Sequence, residues 1–128
     1  MSSSPDTDSP LIHLVDATQT IVALDLEGEF DIDAAPMVVD HADRVLAGGK
    51  DLIINLSDAT FIDSSIIHAL FKANEAAESA GRKFVLQFGT HAAVERVLSI
   101  TGADTSLPTA PTRTQAIEVI EQPKRRLA

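Results

Sequence analysis

The chain has 128 residues, 45% hydrophobic and 23% charged, a composition of ordinary globular type that suits one domain and excludes disorder throughout. A formal net charge of −9 and a pI near 4.7 repel phosphate backbones and anionic lipid heads, so nucleic acid and membrane surfaces are not expected partners. With no cysteine there are no disulfides, thiol nucleophiles or thiolate metal sites, and with no tyrosine only Ser and Thr remain as ordinary phosphoacceptors.

Residues 1–10, MSSSPDTDSP, carry no apolar face and are expected to form a flexible tail. They lack a basic stretch followed by an apolar run, and a cytoplasmic protein is expected. Leu11 to Val15 and Ile21 to Leu26 read as two strands joined by the short polar loop Asp16-Ala17-Thr18-Gln19. In the second, Val22, Leu24 and Leu26 alternate with Ala23 and Asp25, and Gly28-Glu29-Phe30-Asp31 ends it. Between Asp33 and Ala47, apolar residues at 35, 38, 39, 42, 45 and 46 make one helical stripe, with Asp33 as its expected cap, Pro36 in the first turn and Gly48-Gly49 at the stop.

Leu52, Ile53, Ile54 and Leu56 form an apolar run of the kind found in strands covered on both faces, and the polar residues after it read as a short turn. Asp63-Ser64-Ser65 then opens a second helix whose stripe is Ile66, Ile67, Leu70, Phe71, Ala73, Ala77 and Ala80. Lys83 to Gln87 reads as a strand and Ala92 to Ile100 as a third helix closed by Thr101-Gly102. Thr105 to Pro111 is at best an edge strand, and Arg113 to Glu121 is a last helix. Residues 122–128 are expected to be a basic tail. Strands alternating with helices of this length predict an α/β domain with a mixed central sheet of four to five strands and about four helices, with helix N-termini gathered at one edge.

Chemistry concentrates at Asp63-Ser64-Ser65. A helix start is electropositive and leaves N–H groups without intrahelical partners, so a hydroxyl there either caps the helix or carries a phosphate. His68, one turn after Ser64, suggests a Ser-His-Asp triad only superficially: Asp63 is poorly placed to hold the imidazole's far nitrogen, and the Gly-x-Ser-x-Gly elbow is missing. The histidines at 13, 41, 68 and 91 have no metal-ligand spacing, and Asp31, Asp33, Asp58 and Asp63 read as solvated loop acids rather than a Mg²⁺ cluster. Gly48-Gly49-Lys50 lacks the remainder of a phosphate loop and reads as a turn. Neither a cofactor nor a metal is expected.

Three segments carry a resemblance: Gly28-Glu29-Phe30-Asp31, the stretch DLIINLSDATFIDSS before the second helix, and KFVLQFGTHAAVERVLSITG in the third crossover. Over residues 11–121 the chain resembles the STAS domain of bacterial anti-sigma factor antagonists. The resemblance implies a non-enzymatic module that, unphosphorylated, binds an anti-sigma factor with serine kinase activity of the histidine-kinase-like ATPase class. It implies phosphorylation at Ser64 as the off switch for sigma-factor-dependent transcription and places Asp31 at the partner interface; Asp63, Ser64 and Ser65 are expected to complete that interface, joined by Thr90 and His91 if their loop lies nearby. A monomer or weak homodimer is expected. The family pattern usually has Gly-Leu after the serines where this chain has Ile66-Ile67, so a protruding β-branched side chain and a narrower serine pocket are expected. Two other uses of the scaffold stand beside this one: an unphosphorylated module of a larger signalling or transport assembly, and a small-ligand or nucleotide site at the helix start.

Overall fold

The computed structural model describes residues 9–122. Five strands form one mixed sheet in the order β1-β2-β3-β4-β5. They are β1 (Leu11–Asp16), β2 (Ile21–Phe30), β3 (Asp51–Ile62), β4 (Phe84–Gln87) and β5 (Thr109–Ala110). β1 and β2 are an antiparallel hairpin, and every later pairing is parallel, as helical crossovers require. The hairpin turn is built by Thr18, whose Oγ1 accepts from the backbone N–H groups of Thr20 and Ile21, each at 3.1 Å. The helices are α1 (Ala35–Ala47), α2 (Ser64–Ser79), α3 (Ala92–Thr101), the single turn α4 (Ala103–Ser106) and α5 (Arg113–Glu121). Among the described residues no helix is long and apolar enough to cross a membrane.

Period-two alternation divides the sheet's side chains between two layers. Val22, Leu24, Leu26, Leu52, Ile54, Leu56 and Leu86 face the stripes of α1, α2 and α3 and form one large core with Val38, Ile66, Leu70, Val94 and Leu98. The opposite layer is smaller: Ile21, Ala23, Ile53 and Val85 pack against Ala116 and Ile120 of α5. There the next rung is polar. Asp25, Asn55 and Gln87 lie in register across β2, β3 and β4. Asn55 Nδ2 donates to Asp25 Oδ1 at 3.0 Å, and Arg113 at the start of α5 donates to Gln87 Oε1 at 3.0 Å and to Asp25 Oδ1 at 2.5 Å.

Three local expectations fail for physical reasons. Asp33 does not cap α1: it lies in a 3₁₀ turn (Ile32–Ala34) that Asp31 caps by accepting from the Asp33 N–H at 3.0 Å. The helix itself starts without a side-chain cap, with Pro36 in its first turn. The stretch after Leu56 is not a turn, because β3 runs on to Ile62 and pairs with an equally extended β2, Gly28 to Ala59 and Phe30 to Ile62. Two register shifts in this ribbon, with Gly28 at φ 100°, break the alternation by which a strand is read from sequence. Thr105 belongs to α4, leaving an edge strand of only two residues. The expected tails, apart from residues 9, 10 and 122, lie outside the described residues.

Candidate functional site

The extended ribbon sets the position of the site. Because β2 and β3 continue well past the end of β4, they carry Asp31 and Asp63 out on a double-stranded projection. Phe30 and Ile62 on its inner side are buried, while Glu27, Glu29, Asp58, Thr60 and Phe61 face out. Two apolar side chains stand in water here, Phe61 at 43% and Ile32 at 67% exposure, amid these carboxylates.

At the tip, Asp63 is the cap of α2. One carboxylate oxygen accepts both the Ser65 N–H at 2.9 Å and the Ser65 hydroxyl at 2.5 Å. Ser64 is therefore the first helical residue and not the cap. It is exposed, and among the described residues its Oγ makes no hydrogen bond. The two serines thus differ: Ser65 is tied down and half-buried, whereas Ser64 is free. Ile66 and Ile67 do not narrow the serine pocket as expected. They are 0% and 5% exposed and point into the core, away from Ser64.

Beside Ser64 an open groove of about 700 Å³ runs between α1 and α2. Ile32, Ala35, Pro36 and Val39 line one side and Ala69 the other, with Ser64, Ser65, His68 and Lys72 along α2 and Asp40 on α1. Ala35 and Val39 belong to the α1 stripe, which is wider than the core it serves, so its flank is left to wall the groove.

The expected site residues are brought together only in part. Asp31, Asp63, Ser64 and Ser65 share the projecting end of β2 and β3. Thr90 and His91 are exposed in the loop before α3, but neither lines the groove. That loop is anchored lower on the sheet: Gly89 has φ +67°, and a Cβ there would lie 2.8 Å from the Ser57 backbone, so only glycine permits the approach. Ser57 in turn donates from its N–H and hydroxyl to Asn55 Oδ1, at 2.9 and 2.6 Å, which joins the loop to the polar rung under α5. Sequence reasoning missed Ile32, Phe61, His68 and Lys72 as site residues. Among the described residues no group of three or more His, Asp or Glu is arranged to hold a metal ion.

The STAS domain family matches residues 14–116. The chain belongs to that family. An anti-sigma factor antagonist from Mycobacterium paratuberculosis has the same fold, with a TM-score of 0.80 at 24% identity over 94% of this chain and 100% of its own. The anti-sigma factor antagonist SpoIIAA in its unphosphorylated form gives 0.73 at 20% identity, over 90% of this chain and 100% of its own. The Bacillus cell fate determinant SpoIIAA in its phosphorylated form gives 0.65 at 20%, over 87% and 100%. No curated protein matches the chain in sequence. The resemblance read from three segments and the mixed α/β fold predicted from alternation both hold.

Proposed function

We propose that this STAS domain is an anti-sigma factor antagonist switched by phosphorylation at Ser64. Unphosphorylated, it captures an anti-sigma factor that is also a serine kinase, and so frees a sigma factor; phosphorylated, it lets go. The observation that carries this reading is the division of labour at the start of α2, where Asp63 does the capping and leaves the Ser64 hydroxyl exposed. A phosphoryl group can be added there without removing a bond the fold uses. The partner would meet Asp31, Ile32 and Phe61 as well as the serine, and would present basic and apolar groups to them. Structures of SpoIIAA in both unphosphorylated and phosphorylated forms share this fold, which supports the reading.

A phosphate brings roughly −1.5 to −2 charges at pH 7 to a spot next to the Asp63 carboxylate. The helix end attracts it and the neighbouring acids repel it, so the fold persists while the surface a partner would dock on becomes strongly anionic. The domain is itself no enzyme in this scheme: ATP and the catalytic groups come from the kinase, and Ser64 supplies only the accepting oxygen. The complex forms in the cytoplasm, and no nucleic acid or membrane enters it.

Affinity capture with the purified chain, followed by intact-mass analysis with ATP, tests the proposal. Recovery of an ATP-dependent kinase, one phosphate gained, and loss of that phosphate in Ser64→Ala is the expected result. Stable capture of a partner that never phosphorylates the chain would instead identify a scaffold module, and nucleotide affinity without a protein partner would identify a ligand-binding domain.

A further inference from the structure

The α2 wall of the groove carries two basic side chains that make no bond among the described residues. His68 and Lys72 follow Ser64 by four and eight positions, and all three line the same groove. Helical side chains lean toward the helix N-terminus, which tilts His68 over the turn that opens at Ser64 and Lys72 toward His68. Among the described residues, neither side chain makes a hydrogen bond or an ion pair. Several other basic groups are tied down, His13 to Glu27, Lys50 to the Gln19 carbonyl, Lys83 to the Ile120 carbonyl, and Arg113 to Asp25 and Gln87, whereas Arg44, Arg96 and His91 are as unbonded as His68 and Lys72 among the described residues but line no groove beside a serine. Two exposed, unpaired basic residues in register behind a free serine are a notable arrangement in a chain of net charge −9.

We propose that His68, with Lys72 behind it, is the intramolecular receptor for a phosphate on Ser64, and that this pairing holds the phosphate across the groove mouth. The inference rests on the reading of Ser64 as the phosphorylated residue and adds how the modified state is held. The spacing suits it, because groups at i and i+4 are neighbours on a helix surface and a phosphoserine dianion offers three acceptor oxygens. The other charged groups at the site are Asp40 from the α1 wall, Asp63 at the cap, and Asp31 and Asp33 of the 3₁₀ turn packed against α2, which oppose the phosphate, and Lys72, which assists. Asp40 on the facing wall repels the phosphate from α1 and favours its seat along α2. Held there, the phosphate lies beside Ala69 and faces Ala35 and Val39 across the groove, so phosphorylation changes the charge of the groove as well as that of the helix start.

The test installs phosphoserine at position 64 of the full chain by genetic code expansion and follows its phosphorus resonance against pH. The second ionisation of the phosphate is expected about 0.2–0.4 unit lower in the otherwise wild-type chain than in His68→Ala, the size of an i,i+4 ion pair on a helix surface. Methyl resonances of Val39 and Ala69 should shift on phosphorylation, and that shift should be lost in His68→Ala. Arg96→Ala, which removes one positive charge on α3 outside the groove, should leave both readouts in place. Identical titrations of the wild-type and His68→Ala chains, or an equal displacement by Arg96→Ala, would overturn the proposal. Since the phosphate is installed without a kinase, failure to find a phosphorylating partner would sink the functional reading alone, and coincident titrations would sink this one alone.

Discussion

Under α1, α2 and α3 the sheet buries an unbroken apolar layer, whereas under α5 the apolar layer stops at Ile21, Ala23, Ile53 and Val85 and gives way to Asp25, Asn55 and Gln87. The same three strands build both layers, so the difference lies in which alternate positions carry hydrocarbon. Hydrocarbon contacts are non-directional and stabilise in proportion to the area they remove from water. The polar rung is directional: its groups are satisfied only when β2, β3 and β4 keep register and Arg113 sits above them. The first layer therefore supplies most of the stability, and the second fixes how α5 and, through Ser57 and Gly89, the loop before α3 are seated.

The comparison breaks most visibly in the large core. Leu70→Ala removes a wholly buried side chain and is expected to cost about 2–5 kcal/mol in urea unfolding, the usual range for such truncations. Arg113→Ala probes the other face. It leaves Asp25 with Asn55 as its remaining partner and deprives the Gln87 amide oxygen of its donor, but both side chains of the Arg113–Asp25 pair keep some solvent, at 29% and 22% exposure. A smaller loss of about 1–2 kcal/mol is expected, with increased hydrogen exchange confined to α5 and its neighbouring strand ends. An equal or larger loss than that of Leu70→Ala would place the stabilising weight on the wrong layer.

The smallest effects separate the groups at the start of α2. Asp63→Ala removes the cap and is expected to cost about 1 kcal/mol. Ser64→Ala removes a hydroxyl that bonds to nothing among the described residues, and should change stability by less than about 0.5 kcal/mol. Thermal or urea unfolding of the two variants side by side checks the order. A larger cost for Ser64→Ala would mean that the fold needs the oxygen the switch is meant to use.

Most helices and the inner strands were legible because their signals are local and redundant: stripes at three- and four-residue spacing and an apolar run from Leu52 to Leu56. The outer halves of β2 and β3 were not legible. Their acids, glycine and register shifts erase alternation, and only pairing between distant segments makes Glu27 to Phe30 and Asp58 to Ile62 into strands. The serine junction was readable from its residue types, but the identity of the cap was not, since Asp63 and Ser64 are both good caps and one residue of register decides between them. Two signals conflict at Ile66, which heads the apolar stripe of α2 yet stands where the family has glycine; the stripe prevails, and the side chain turns to the core. The groove was hidden for the opposite reason, as Ala35 and Val39 satisfy a core pattern while standing at its margin.

The central claim is that Ser64 and Ser65, adjacent in sequence, are made unequal by the Asp63 cap. Incubating the chain with ATP and a kinase recovered on it by affinity capture, then mapping the phosphate in the wild-type, Ser64→Ala and Ser65→Ala chains, measures that inequality directly. The account predicts a phosphate on Ser64 in the wild-type and Ser65→Ala chains and none in Ser64→Ala. A phosphate carried by Ser65, or one retained in Ser64→Ala, would contradict it.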